Sequence, residues 1–164
     1  MVYPFFRCVV LFFLLIIFPV SPADARMLEG RVVGVRDGDT IELLDAVRER
    51  HVIRLAHIDT PEKAQPYGGK AKQYVSSLIF GKAVRIEVTD RDRYGRLIGV
   101  VYIGGTNVNL QLVRQGYAWW YREYSRDVSY GRSELDAFER RSGLWADSRP
   151  VPPWEWRRKK RAAS

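Results

Sequence analysis

Between Val52 and Glu62 the chain reads Val-Ile-Arg-Leu-Ala-His-Ile-Asp-Thr-Pro-Glu, an extended run that cannot continue as one strand. Ile53 and Leu55 share one face and Arg54 takes the other, but Ile58 falls out of phase with them. A period of two that slips between Leu55 and Asp59 predicts a bulge or bend at that place. Pro61 has no amide hydrogen to give to a ladder, and it biases Thr60 toward an extended or turn backbone. Regular ladder pairing therefore stops at a rigid corner. That corner carries Arg54, Asp59 and Glu62, a permanent cation and two carboxylates that suit a metal and a phosphate. The plain alternative is a charged strand exit with no chemistry attached.

The period-two signal recurs in short pieces on either side. Residues 28–35 alternate loosely and meet the turn-forming Asp37-Gly38-Asp39-Thr40 before a second strand over 41–44. A polar connection over 45–49 leads to the third strand, 51–58. After Glu62 and a short polar connection, Ala71, Tyr74, Val75, Leu78 and Ile79 are spaced as one helical face, with Gly81 placed to end it. Strands over 83–88 and 97–103 follow, separated by Asp90-Arg91-Asp92-Arg93-Tyr94-Gly95-Arg96. Thr106 or Asn107 can cap a helix running through Gln115 and closed by Gly116. A last helix is predicted over 132–141, with Leu135 and Phe138 facing inward. Five short strands with helices between and after them suggest an α+β, mainly β, fold: a five-stranded barrel of the oligonucleotide-binding (OB) type with three helices.

The 164 residues suffice for one domain with attachments. Residues 1–25 carry Arg7, an apolar run over 8–20 and the small-x-small sequence Ala23-Asp24-Ala25. A secretory signal peptide cleaved after Ala25 is the expectation, placing the mature protein in the periplasm or outside the cell. The apolar run is shorter than the roughly 20 residues a spanning helix needs, so an uncleaved anchor is the lesser alternative. Cys8, the only cysteine, lies in that segment, and with only two histidines in the chain a structural zinc site is disfavoured. Any metal should be a hard, oxygen-ligated one. The net charge of +8 survives cleavage, because Arg7 and Asp24 leave together. It favours a polyanionic partner, although basicity also serves solubility or adhesion.

Beyond the domain at 26–147, the tail at 148–164 holds Pro150, Pro152, Pro153, Trp154 and Trp156, then five consecutive cations from Arg157 to Arg161. With no periodic apolar face it is expected to be mobile. It can hold nucleic acid, lie on an anionic surface, or be a solvated basic terminus. Trp154 and Trp156 can stack on bases or pack back on the body.

Asp39 and Asp59 lie at opposite ends of a possible two-strand excursion, whose antiparallel return can bring their carboxylates together. Two like charges at close range need something positive between them. Calcium, which takes about six to eight oxygen ligands in a tolerant geometry, meets that need, with the Thr60 carbonyl as a further candidate ligand. The alternative is that Asp39 only serves its turn. Phosphodiester hydrolysis requires an activated water, a Lewis acid on a phosphate oxygen, and cations against the charge developing at phosphorus. Glu62 can act as the general base or orient the water. Arg54 and Arg96 can grip phosphate through planar, permanently charged forks. His57 is read as structural or surface, since one histidine in a strand carries little weight.

Asp37-Gly38-Asp39-Thr40, Arg54 through Asp59-Thr60-Pro61-Glu62, Asp92-Arg93-Tyr94-Gly95-Arg96 and Leu112-Val113-Arg114-Gln115-Gly116 follow one another in the chain. In that order and approximate spacing they resemble the staphylococcal nuclease-like, or thermonuclease, family over about residues 28–145. The resemblance implies a five-stranded OB-fold barrel with three helices and a calcium-dependent, sugar-nonspecific endonuclease of DNA and RNA. Asp39 and Asp59 with the Thr60 carbonyl resemble the family's calcium ligands, Glu62 its base, and Arg54 and Arg96 its phosphate-binding arginines. Arg93 and Tyr94 resemble the nucleotide-phosphate contacts beside them. Two departures stand out. The lysine-rich loop that the family carries after the Asp-Thr-Pro-Glu corner is reduced here to a few residues. Of two tyrosines that the family uses near base and terminal phosphate, one aligned position is Arg122 and the other Tyr124. Trp119, Trp120 and Tyr121 can supply stacking instead, or belong to the core.

The reading is an exported, monomeric, calcium-dependent endonuclease acting on DNA and RNA. The rivals are a non-catalytic nucleic-acid-binding barrel for uptake or surface retention, and a basic adhesion protein for anionic cell surfaces. The carboxylates favour the enzyme, because a pure binder gains nothing from anions placed beside phosphate.

Overall fold

The computed structural model describes residues 26–163; the expected signal peptide lies outside them. The described chain runs β1 (Arg26–Val35), β2 (Thr40–Asp45), β3 (Arg50–Leu55), β4 (Ile58–Asp59), α1 (Gly68–Ile79), β5 (Ala83–Arg91) and β6 (Leu97–Ile103). Then come β7 (Thr106–Asn107), α2 (Val108–Arg114), β8 (Trp119–Trp120), α3 (Val128–Glu139), a 3-10 turn at Gly143–Ala146, and α4 (Pro153–Ala162). The main sheet has the order β3-β2-β1-β5-β6-β7, and β3 also pairs in parallel with β6. That last pairing sets Ile53 opposite Leu97, Arg54 opposite Ile98 and Leu55 opposite Gly99, closing β1, β2, β3, β5 and β6 into a barrel. Register shifts between Val32 and Gly34 and between Val88 and Asp90 let the long strands β1 and β5 curl around it.

The slipped period seen in the sequence marks a change of partner. β3 stops at Leu55, Ala56 and His57 turn with His57 at φ 69°, and the chain restarts as β4 in a second sheet against β8. The expected strand over 51–58 is thus two strands in two sheets.

Inward-facing Ile41, Leu43, Ile53, Leu55, Ile86 and Val101 fill the barrel. Val75 and Ile79 from α1, Leu112 and Val113 from α2, and Tyr130 from α3 close over them. Each such side chain contributes about 1.5–3 kcal/mol of burial, so the fold needs no disulfide. α1 ends at Phe80 with Gly81 at φ 74°, as its glycine signal predicts. α2 is capped by the Asn107 side chain, which accepts from the Leu110 amide at 2.9 Å.

Two further expectations need correction. α3 starts at Val128, where Asp127 accepts the Ser129 amide at 2.9 Å, earlier than the predicted 132. Its buried face is Tyr130, Ser133, Glu134 and Ala137, while Leu135 and Phe138, expected inside, are each 56% exposed. Hydropathy misjudged this helix because its inner face includes a carboxylate: Glu134 accepts the Trp120 amide (2.9 Å) and Arg122 Nη2 (2.6 Å). The tail is the second correction. Residues expected to lack regular structure form α4, with Pro153 at the helix start, where its missing amide hydrogen costs nothing. The described residues therefore hold four α-helices rather than three. None is long and apolar enough to cross a membrane.

Asn109, fully buried at the start of α2, ties the corner to the barrel. Its Nδ2 donates to the carbonyls of Ala56 (3.0 Å) and Gly99 (3.1 Å), and its Oδ1 accepts the Val101 amide (3.1 Å). The Ala56 amide in turn donates to the Gly99 carbonyl at 2.8 Å. Truncation strands buried donors and acceptors without solvent. Asn109→Ala is expected to lower the unfolding free energy by about 3 kcal/mol in urea titration, with the slope on denaturant unchanged.

Candidate active site

Asp39 reaches the corner through its backbone. Its carbonyl accepts the Leu55 amide at 2.8 Å, and the β2–β3 register places Thr40 opposite Arg54. Arg54 points away from the apolar face of β3 and so stands beside Asp39, while β4 brings Asp59 round to its other side. The guanidinium bridges the two: Nη1 pairs with Asp39 Oδ2, and Nη2 with Asp59 Oδ1 at 2.9 Å. Asp39 Oδ2 also accepts the Thr60 amide at 2.9 Å. Thr60 thus meets Asp39 through its N–H.

Glu62 follows one residue past Pro61. Its amide donates to Gln65 Oε1 at 3.1 Å, and its carboxylate is 41% exposed, open to an approaching ligand. A residue that sequence reasoning did not single out completes the arrangement. Arg157 of α4 donates through Nη2 to Asp59 Oδ2 (2.7 Å), and through Nη1 to Asp59 Oδ1 (3.2 Å) and Glu62 Oε1 (2.8 Å). Three carboxylates and two guanidiniums therefore form one chain of ion pairs, with Asp59 at its centre and only 1% exposed.

The surroundings set the charges apart. Burial alone would raise the Asp39 carboxyl, but the Arg54 charge beside it leaves it below the ordinary carboxylate range. Burial dominates at Asp59 and pushes it up, against the pull of Arg157 and Arg54. Asp37, which accepts the Asp39 amide at 3.1 Å, is pushed up to about 6 by burial and then by the Asp39 charge. Burial opposes the Arg54 charge, yet Asp39 and Asp59 outweigh it and hold the guanidinium more firmly protonated.

The carboxylates of this site are oxygen donors of the kind a hard divalent cation takes. With guanidiniums between them, Asp39, Asp59 and Glu62 do not converge closely. Among the described residues, the acidic group whose ligand atoms all lie within 4.8 Å is Asp45, Glu49 and His51 on the β2–β3 hairpin. That group could hold a metal, but Asp45 Oδ1 already accepts the Val47 and Glu49 amides and Oδ2 faces His51 Nε2 at 2.9 Å. It serves its turn.

The remaining sequence candidates lie on neighbouring loops. The β6 register places Arg96 just before Leu97, at the rim beside β3, where Asp92 Oδ2 accepts its Nε at 2.7 Å and Asp92 Oδ1 its amide at 3.0 Å. Among the described residues Arg96 pairs with Asp92 and not with the carboxylates of the site. Tyr94 is exposed at the tip of that turn with the Arg93 guanidinium 4.8 Å above its ring. Tyr124 is also exposed and packs on Tyr121 with ring centroids 4.7 Å apart. Tyr121 stacks on Trp154 of α4, centroids 5.6 Å apart and planes 2° from parallel. Trp119 meets both Trp145 and Trp154 edge-on. Arg122 is held by Glu134 over the Trp120 ring. His57 is half-buried, its ring centroid 5.0 Å from that of Tyr130.

A profile of the staphylococcal nuclease homologue family matches residues 52–147. The chain belongs to the staphylococcal nuclease family. Among its relatives is an Escherichia coli protein named "Uncharacterized endonuclease", 47% identical over 143 residues, 87% of this chain and 91% of that one. A Haemophilus influenzae protein of the same name is 42% identical over 156 residues, 94% of this chain and 88% of its own. A Shigella flexneri "Micrococcal nuclease" is 40% identical over 153 residues, covering 87% of this chain and 86% of that protein.

In this family member the position of Glu62 depends on a glycine. A Cβ on Gly68, the first residue of α1, would lie 2.0 Å from the Glu62 carbonyl oxygen and 3.1 Å from that of Pro61. Gly69 beside it faces open space. Gly68→Ala is expected to cost about 2 kcal/mol by forcing the corner away from α1. Gly69→Ala, the control, should gain about 0.5 kcal/mol from helix propensity; thermal unfolding of the pair checks both.

Proposed function

We propose that this chain is an exported, calcium-dependent endonuclease that hydrolyses phosphodiester bonds of DNA and RNA without strong sequence preference. The observation that carries the reading is the convergence of Asp39, Arg54 and Asp59 on one corner, with Glu62 one proline beyond it. The nuclease names of its relatives support the same class of reaction. So does the net charge of +8, which suits a polyanionic substrate.

In this reading Asp39, Asp59 and the Thr60 carbonyl hold the metal, a donor set of hard oxygens. Bound there, calcium supplies a Lewis acid to a phosphate oxygen and offsets charge in the transition state. Glu62, the most solvent-accessible carboxylate of the cluster, takes the proton of the attacking water or orients that water toward phosphorus. Arg54 keeps its proton at any working pH and sits where negative charge accumulates, while Arg96, released from Asp92, offers a second fork from the rim. Arg93 and Tyr94 on the same turn, and Tyr124 beside Tyr121, lie exposed for contacts along the strand. A shortened connection after Glu62 leaves these loops to do the gripping. In this reading the enzyme acts as a monomer.

Purified mature protein should cleave plasmid DNA and RNA with calcium at alkaline pH and fail with chelator; a parallel reaction with magnesium reads the metal preference. Binding of nucleic acid without metal-dependent cleavage would overturn the enzyme in favour of a binding barrel. Glu62→Gln is expected to lower kcat roughly 100-fold or more while calorimetric calcium binding persists. Unchanged cleavage would remove Glu62 as the base.

A further inference from the structure

We propose that α4 is a built-in cation plug: the Arg157 guanidinium takes the position of positive charge between Asp59 and Glu62, so α4 docking and divalent-metal binding exclude each other. The inference rests on the reading of Asp39 and Asp59 as metal ligands and Glu62 as base. It goes beyond that reading in assigning a role to the C-terminal segment.

The two cations would share the same acceptor oxygens. Both Asp59 oxygens accept from Arg157, at 3.2 and 2.7 Å, and Glu62 Oε1 accepts at 2.8 Å. A metal held by Asp59 competes with Arg157 for these oxygens, and a dication beside a guanidinium adds like-charge repulsion in a poorly solvated place. The three acceptor contacts are charge-assisted, the stronger kind of hydrogen bond. The Arg157 side chain is itself 33% exposed, so withdrawing it to water needs no opening of the core.

The rest of α4 has the features of a detachable element. Pro153 is its only buried residue. Apart from Arg157 its anchors include the Trp154 ring, stacked on Tyr121 and edge-on to Trp119, the Gln65 Nε2 bond to the Val151 carbonyl at 2.6 Å, and Trp156. Together with Pro61, Tyr67 and Trp119, the Gln65, Val151 and Trp156 side of the contact borders a cleft of about 170 Å³. Trp154 and Arg157 lie three residues apart on one helical face, so the stack aims the guanidinium. An element held by few apolar contacts opens at lower free energy than the barrel beneath it. Being covalently attached, it nonetheless returns at high effective concentration.

Apparent metal affinity is then reduced by the fraction of molecules with the plug seated. Calcium titrated calorimetrically into substrate-free full-length protein should bind roughly tenfold or more tightly to Arg157→Ala than to the unmodified chain. Trp154→Ala, which removes the aiming stack and leaves Arg157 in place, should shift affinity in the same direction. In the unmodified chain, saturating calcium should speed hydrogen exchange of α4 amides roughly tenfold and leave those of α1 unchanged. Equal calcium affinity in all three proteins, or α4 protection unaffected by calcium, overturns the plug while the metal site stands. Calcium binding absent even from Arg157→Ala, or undiminished by Asp59→Asn, overturns the metal-site reading and the plug with it.

Discussion

The corner between Leu55 and Asp59 exists because one buried asparagine stands in for a missing strand. At Ala56 the chain leaves one sheet for another, and the amide and carbonyl groups exposed by that departure must be satisfied inside the core. Asn109 does so, accepting from Val101 and donating to both Ala56 and Gly99. The barrel closure, the second sheet and the position of Asp59 all depend on this arrangement. Gly99 is required at the same place, since a Cβ there would meet the Glu87 carbonyl at 2.7 Å.

Once the corner is set, electrostatics arranges the rest of the site. Asp39 and Asp59 come from different turns and would repel if left alone. Arg54 between them makes their approach favourable; burial pushes both carboxyls up, but the Arg54 charge outweighs it at Asp39 while burial prevails at Asp59. Asp59, more deeply placed and shared with Arg157, is the pivot of the cluster. A corner that gathers three carboxylates from two segments is stable only with cations among them, and this chain supplies two from its own residues.

Much of this was legible in residue order. The slipped period after Leu55 announced the corner, the heptad-like spacing from Ala71 to Ile79 announced α1, and Gly81 and Gly116 marked helix ends that the backbone confirms with positive φ. Asp39, Arg54 and Asp59 could be grouped because the residues between them read as an antiparallel excursion. Arg157 could not. It sits in a run of five cations, where any one reads like the others, and its partners are 95 and 98 residues away. The tail's lack of a periodic apolar face hid α4, which Pro153 begins, and Glu134 hid the true inner face of α3 because polarity conceals burial from hydropathy.

The amino-acid order by itself determined the five barrel strands in outline, their turns and the family motifs. These follow from local backbone preference and from the period at which apolar side chains recur. Tertiary structure alone decided that Asp59 leaves the barrel for β8, that Asn109 holds that departure in place, and that α4 folds back to lay Arg157 across Asp59 and Glu62. Each of these rests on a contact between segments far apart in the chain. Such a contact is favoured only when burial and ion pairing outweigh the entropy of closing the loop between them.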